Sequence, residues 1–146
     1  YGVRSGFSGT DIPGPFTISS GVRTNVTYES AALVKEILAD YGDTFTEQDL
    51  ENTKSYFIKS AARQFETGNA KLAMLEKVSR YGWQADYVKQ RMTLVKSITQ
   101  QDIAKLASKY ADPDKLIWLV VGDAETQMPR LTELGLGKPV LLNPKH

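Results

Sequence analysis

The side chains that most often carry enzyme chemistry are scarce in this chain of 146 residues. It has one histidine, His146 at the last position, and no cysteine. Chain ends are usually poorly ordered, so a base or metal ligand at His146 would need a mobile terminus to be held in place. This composition excludes a histidine-dependent catalytic triad, thiolate catalysis and a cysteine-based zinc site built within the chain.

Carboxylates are the remaining candidates for acid–base chemistry or metal binding. Carboxylate pairs such as Asp40/Asp43, Asp49/Glu51 and Asp112/Asp114 fall at predicted helix ends and turns. At such places acidic side chains cap backbone N–H groups or are solvated. No segment has the oxygen-ligand spacing of a calcium loop. We therefore predict helix caps here, and no metal-binding residues.

Three residues near the N-terminus are polar in a strand-like context, namely Tyr1, Arg4 and Arg23. The residues alone favour an ordinary interpretation, which is an edge tyrosine with two solvated arginines, because scattered polar surface residues are normal. The nearby glycines fit neither nucleotide-binding fingerprint, so we interpret them as structural.

Net charge, hydropathy and length narrow the class of protein further. Eighteen basic and 17 acidic residues leave a net charge of +1, which offers no electrostatic reason to bind nucleic acid. No apolar run approaches the roughly 20 residues of a membrane span. The length suits one domain that buries about two-thirds of its unfolded surface. Because the chain starts with tyrosine and runs directly into strand-like sequence, we expect it to be a piece of a longer protein.

The first 22 residues predict a pair of β-strands. Residues 1–9 alternate with a period of two, residues 11–15 (DIPGP) are typical of a turn, and residues 16–22 resume the strand pattern. We predict that the two strands are antiparallel.

Five helices are predicted next, followed by a short sixth. Thr27 is expected to begin the first helix and Gly42 to end it. Thr46 with Asp49 is expected to begin the second helix, and Thr99 the fifth. Gly82 is expected to end the third. Gly68 and Asn69 are expected to break the second helix from the third. The sixth covers residues 124–134 with Pro129 near its first turn, and residues 140–142 could add an edge strand.

The stretch from Ser97 to Asp123 is predicted to contain the central strand of the fold and the helix that leads into it. A threonine-capped helix ends at Asp112-Pro113, because the residue before a proline avoids helical angles. The run LIWLVV at 116–121 then predicts a strand covered on both faces, in the middle of a sheet. These elements indicate an α+β domain, with an antiparallel or mixed sheet covered by a block of helices. The aromatic residues of the helices are predicted to pack in the core and between helices.

The order of these segments resembles the C-terminal part of a pitrilysin/insulysin-type zinc peptidase, and specifically its bacterial processing-peptidase-like branch. The segments are YGVRSGFSG, TYESAALVKEILADYGD, TFTEQDLENTKSYF, SITQQDIAKLASKYADPDKLIWLVVGD and LTELGLGKPVLL. The resemblance implies that residues 1–146 form part of one C-terminal domain of the mitochondrial-processing-peptidase-like metallohydrolase fold. The first strand and helix of that domain would be missing.

In this family, duplicated α+β domains enclose peptides between two halves. The zinc motif His-x-x-Glu-His lies in the N-terminal half, and it is absent here. The resemblance therefore implies no cofactor in this chain, with zinc in the N-terminal half or in a partner subunit. It implies that the parent is a zinc metalloendopeptidase, that this piece alone is inactive, and that a bacterial cytoplasm or periplasm is its compartment.

The resemblance also suggests site residues. Tyr1 matches a tyrosine that contacts the substrate near the scissile bond, and the arginine that accompanies it would precede residue 1. Arg4 is a second, weaker candidate for binding substrate. A phenol directed at a carbonyl that gains negative charge is a contact worth roughly 3–4 kcal/mol.

Two other hypotheses remain open. The chain could belong to a non-catalytic partner subunit of the same fold that binds peptides or serves as a scaffold, or it could be an unrelated α+β interaction module. An incomplete sheet would expose backbone donors and apolar surface, so we also expect self-association through its edge.

Overall fold

The structure is a computed structural model that describes residues 2–142, apart from the side chain of Ala62. It is α+β, as predicted. Two strands, β1 (Val3–Gly9) and β2 (Pro13–Ser20), precede six helices. The helices are α1 (Thr27–Thr44), α2 (Glu47–Arg63), α3 (Gly68–Tyr81), α4 (Tyr87–Ser97), α5 (Gln100–Tyr110) and α6 (Ala124–Leu131).

The two strands form the predicted antiparallel hairpin. Val3 lies opposite Ser20 and Phe7 lies opposite Phe16, with an irregularity between Phe7 and Gly9. The turn is tighter than predicted, because β2 already begins at Pro13. Glycine is required at position 14, where a Cβ atom would lie 2.4 Å from the carbonyl oxygen of Ser8.

Two helix starts confirm the predicted caps in atomic detail. The Thr46 hydroxyl accepts the backbone N–H of Asp49 at 3.1 Å, and the Asp49 carboxylate accepts the backbone N–H of Thr46 at 3.0 Å. The same reciprocal bonds join Thr99 and Asp102, at 3.2 and 2.9 Å. Each pair satisfies N–H groups that the first turn of a helix leaves unpaired.

Other helix boundaries differ from the prediction. A 3₁₀ turn (Thr24–Val26) precedes α1, and Thr27 is the first residue of the helix, where its hydroxyl donates to the carbonyl of Thr24 at 3.0 Å. Gly42 lies inside α1 rather than ending it. The break between α2 and α3 comes before Gly68, because Thr67 caps α3 with its hydroxyl. Local capping bonds therefore outweigh the helix-breaking tendency of glycine here.

The predicted central strand at 116–121 is wrong. The described chain has one sheet, which contains only β1 and β2. Residues 116–121 pair with no described strand, and the side chain of Ile117 is 97% exposed. The apolar composition shows that this segment could be buried in a sheet. It does not determine whether neighbouring strands are present to bury it.

The C-terminal elements are also only partly as predicted. Asp123 caps α6, and a 3₁₀ turn (Thr132–Leu134) continues it to the expected end. Pro129 lies inside α6 and not near its first turn. Residues 140–142 form no strand, and all three side chains are exposed. Every residue of β1 is exposed as well, so the predicted layer of helices over a sheet is absent from the part of the chain described.

The chain divides into two compact units, each with a small core. One comprises the residues up to Tyr41 and from Ala107 onward, and the other is Gly42–Leu106. Leu134 is buried in the first and Leu50, which is 3% exposed, in the second. The chain exposes 11750 Å², whereas unfolded chains of 16.2 kDa expose roughly 23,500 Å². About half of the surface is buried rather than two-thirds, and large apolar side chains are exposed on the hairpin and on the helices, for example Val3, Leu33 and Leu72.

Candidate functional site

The hairpin carries the sequence-predicted site residues, and its two faces differ in chemistry. Phe7 and Phe16 share one face, with their ring centroids 4.8 Å apart. The Phe7 ring also meets the ring of Tyr110, at the end of α5, edge-on at 5.8 Å. Aromatic pairs of this geometry stabilise packing beyond the area that they bury. They fix the apolar face of the hairpin against the C-terminal end of α5.

Arg4 lies on the opposite face of β1, because successive side chains of a strand point to opposite sides. It stands across from Ser19, and the neighbouring pair is Gly6 and Thr17. Arg4, Thr17 and Ser19 are all exposed. Arg4 makes no hydrogen bond or ion pair with any other described residue, so its guanidinium is free to contact a ligand in this part of the molecule.

The outer edge of β1 has no strand partner among residues 2–142. Such an edge presents a row of backbone N–H and C=O groups, and an extended peptide can pair with it as an additional strand. The edge of β1 with the guanidinium of Arg4 is the candidate functional site, and we refer to it as the Arg4 edge. It offers main-chain pairing and one fixed positive charge.

Two other residues weighed in the sequence analysis lie outside the described residues. They are Tyr1, the predicted contact to the substrate, and His146. Within residues 2–142 no group of three or more His, Cys, Asp or Glu side chains is placed so that it could hold a metal ion.

Electrostatics at the carboxylates match their predicted role as caps. Hydrogen bonds from the Thr46 hydroxyl and backbone N–H lower the pKa of Asp49, and Thr99 lowers the pKa of Asp102 in the same way. The pKa of Asp112 is lowered by hydrogen bonding to the Lys115 ammonium and to the backbone N–H of Asp114. These three groups stay ionised at neutral pH, whereas a general acid needs a raised pKa. Their chemistry is structural.

A groove on α2 and α4 was not predicted from the sequence. Its volume is about 350 Å³, and its lining includes the ammonium groups of Lys54, Lys59 and Lys96 with one carboxylate, Glu51. Lys54 pairs with Glu51 at 3.3 Å, and its side chain is only 17% exposed. The sequence has no run of basic residues here, because Lys96 comes from a different helix. Only the packing of α2 against α4 reveals this basic groove.

The predicted role of the aromatic residues is confirmed at one place and wrong at another. Trp83 stacks on Tyr87 at 3.8 Å and on Tyr81 at 5.3 Å, which packs the junction of α3 and α4. The indole thus contacts two rings of the chain itself, which fits the predicted packing role. Tyr56, in contrast, is 70% exposed rather than in a core.

Two further findings bear on the class of protein. Among the described residues, no helix has both the length and the apolar character that a membrane crossing requires. Comparison with protein-family models, with curated proteins and with solved structures finds no significant match for this chain.

Proposed function

We propose that this chain is the metal-free C-terminal part of a pitrilysin/insulysin-type zinc endopeptidase, and that it forms a substrate-binding wall of a two-part chamber. The observation that carries the proposal is the Arg4 edge, an exposed strand edge beside a guanidinium without a partner among the described residues. An extended peptide can add to an exposed strand edge, because main-chain hydrogen bonds supply the affinity and do not depend on side-chain sequence.

The helices around the apolar segment also support the proposal. The capped helix α5 ends three residues before Pro113, the apolar residues 116–121 follow, and Asp123 caps α6. This is the most specific part of the resemblance, and its local structure is well formed. An apolar strand-like segment between two capped helices is expected where other strands of a sheet complete the domain.

The exposed area fits a chain that works against another body. A folded monomer of 16.2 kDa exposes roughly 7,500 Å², and this chain exposes 11750 Å². The excess is comparable to the area buried in obligate interfaces. We propose that the N-terminal half, or a partner subunit, covers part of it.

In the proposed mechanism this chain binds and orients the peptide. β1 would pair with the substrate main chain, Arg4 would contact a carbonyl or carboxylate of the substrate, and the Tyr1 phenol would donate to the scissile carbonyl as negative charge develops there. The His-x-x-Glu-His motif of the other half would hold a zinc ion, which would supply an activated water. No residue of this chain is assigned to that ion.

The experiment measures peptide cleavage and bound zinc, first for this chain alone and then for the parent protein. We expect neither in the chain alone, and we expect Tyr1→Phe to lower turnover in the parent while its zinc content stays unchanged. The exposed Tyr56→Phe serves as the matched control. Stoichiometric zinc with cleavage by the chain alone would refute the proposal, and unchanged turnover of the Tyr1→Phe parent would remove Tyr1 from the site.

The alternative, a non-catalytic peptide-binding subunit of the same fold, is favoured by the basic groove. Three ammonium groups against one carboxylate suit an acidic peptide, and binding there needs no chemistry. The parent's N-terminal half discriminates the two hypotheses, because an intact His-x-x-Glu-His indicates an enzyme and its loss indicates a binding subunit.

A further inference from the structure

Residues 116–121 have the side-chain pattern of a strand although no strand lies beside them. Ile117, Leu119 and Val121 are 97%, 70% and 92% exposed, whereas the alternate residues are more covered: Leu116 and Trp118 are half-buried and Val120 is 40% exposed. The Trp118 indole N–H donates to the carbonyl of Pro113 at 3.2 Å, which anchors the covered face. A period of two with one covered face is the signature of a half-buried strand.

The backbone of this segment is unpaired on both edges. None of the backbone hydrogen bonds found outside the helices and strands of the described chain involves an N–H or C=O of residues 116–121. Six consecutive apolar side chains with free backbone groups are a template for pairing with another strand. The flanking residues then decide what kind of strand fits.

We propose that residues 116–121 pair antiparallel with the same segment of a second copy of this chain, about a two-fold axis at Leu119. In this register Leu119 faces its own counterpart, Ile117 faces Val121, and Trp118 faces Val120. Every pair is apolar, and residues directly opposite in an antiparallel pair share a face. The exposed side chains of the two copies therefore form one continuous apolar surface.

Charge complementarity selects a second copy in this register. Lys115 precedes the apolar run and Asp123 follows it, so each Lys115 lies opposite Asp123 of the other copy, at both ends of the pair. The Lys115 side chain is 70% exposed, although it contacts Asp112 at 2.7 Å, and Asp123 is exposed at the start of α6. A register shifted by two residues would place Lys115 opposite Val121 in one direction, and Asp123 opposite Ile117 in the other. Opposite charges across strands stabilise a register, and a charge opposite an apolar residue does not.

This inference rests on residues 112–123 and concerns the chain by itself; in the proposed parent, strands from the rest of the domain would compete for the same segment. The pairing covers Ile117 and Val121, the two most exposed large apolar side chains among the described residues, and it satisfies backbone groups on one edge of each copy. A strand from an unrelated protein would need an apolar run of the same length, with a basic residue before it and an acidic residue after it. A second copy of this chain supplies all three.

The chain contains no cysteine, so single cysteine substitutions test the register directly. Leu119→Cys should form a disulfide-linked dimer on mild oxidation, because residues facing each other across the axis have Cα atoms close enough for a disulfide. Ile117→Cys alone should not, since the two sites would lie roughly 14 Å apart along the strands. A mixture of Ile117→Cys and Val121→Cys should cross-link. Leu72→Cys, at a site 66% exposed on α3, is the control for random collision.

Sedimentation equilibrium of the unmodified chain gives the second measurement. We expect a concentration-dependent dimer that Lys115→Glu weakens about tenfold or more, since it places two acidic groups opposite each other at both ends. Lys138→Glu makes the same charge change at another exposed site and should have little effect. A chain that stays monomeric at about 1 mM, well above typical weak dissociation constants, would overturn the proposal. So would equal cross-linking of Leu119→Cys and Leu72→Cys.

Discussion

The guanidinium of Arg130 donates a hydrogen bond of 2.8 Å to Oε1 of Glu29, a residue 101 positions earlier in the chain. The same guanidinium lies 4.6 Å above the ring of Tyr28. Four residues after Arg130, the carbonyl of Leu134 accepts a hydrogen bond of 2.9 Å from the ammonium of Lys35 on α1. These contacts join α6 and the turn after it to α1. They therefore fix the end of the described chain to its first helix.

The first prediction concerns this contact and its dependence on pH. Hydrogen bonding to its own backbone N–H, and then to Arg130, lowers the pKa of Glu29. A carboxylate with a lowered pKa contributes stability that is present above its unfolded pKa and is lost as the pH falls through its folded pKa. Thermal unfolding between about pH 6 and pH 3 should show this loss. Glutamine at position 29 does not titrate, so Glu29→Gln should lose less stability over this pH range than the unmodified chain.

Arg130→Gln separates the charge from the packing. It should lower the melting temperature at pH 7, whereas Arg130→Lys, which keeps a cation but cannot form the same planar contact with Tyr28, should lower it less. Arg91→Gln on α4 is the control, because Arg91 is exposed and lies in the other unit. Equal melting temperatures for Arg130→Gln and the unmodified chain would show that the ion pair does not hold α6.

The hairpin provides a second prediction with an internal control. Gly14→Ala would place a methyl group 2.4 Å from the Ser8 carbonyl oxygen, so the backbone of one strand must shift. Forcing extra atoms into such a contact costs roughly 1–3 kcal/mol. Gly6→Ala adds the same methyl where nothing lies within 4 Å, and we expect little change. Amide hydrogen exchange of β1 and β2 measures both variants, and similar protection in the two would contradict the prediction.

A third prediction uses the two glycines that bound α3. Gly82 has a φ of 63° and ends the helix in the left-handed region, which costs alanine roughly 1–2 kcal/mol. Gly68 is the first residue of the helix, and a Cβ there meets nothing within 4 Å. Gly82→Ala should therefore lower the free energy of unfolding, and Gly68→Ala should raise it by about 0.4–1 kcal/mol. Urea unfolding distinguishes the opposite signs.

The elements that sequence patterns predicted correctly are the ones that local bonds decide. The pairs Thr46/Asp49 and Thr99/Asp102 form caps from residues three positions apart, and Gly82 ends its helix through its own backbone angle. The hairpin is likewise fixed by a short turn between alternating strands. Each of these features needs only neighbours in sequence, so the sequence contains enough information for it.

The elements that were missed depend on distant residues. The run LIWLVV has the composition of a buried strand, but burial requires partners that composition cannot provide, and Ile117 is almost fully exposed. The basic groove escaped prediction for the same reason, because Lys54 and Lys96 meet only through the packing of α2 on α4. For the candidate site, the sequence indicated Arg4 and an exposed sheet edge, but not that β1 forms this edge.

The last prediction tests the Arg4 edge as a peptide-binding surface. Fluorescein-labelled unstructured peptides with acidic residues should bind the chain weakly, and fluorescence anisotropy measures their dissociation constants. Arg4→Ala should weaken binding roughly fivefold to tenfold, since one charge-assisted hydrogen bond at an exposed site is worth about 1 kcal/mol in this setting. Arg4→Lys should lose less, because it keeps the positive charge.

Two controls separate this edge from other binding modes. Lys96→Ala should leave the affinity unchanged if the peptide pairs with β1, whereas it should weaken binding if the peptide lies in the basic groove. Peptides with N-methylated backbone amides cannot pair as strands, so they should bind less tightly than unmodified peptides of the same sequence. Equal affinity of both peptides, together with an unaffected Arg4→Ala variant, would mean that the exposed edge of β1 does not bind substrate by main-chain pairing.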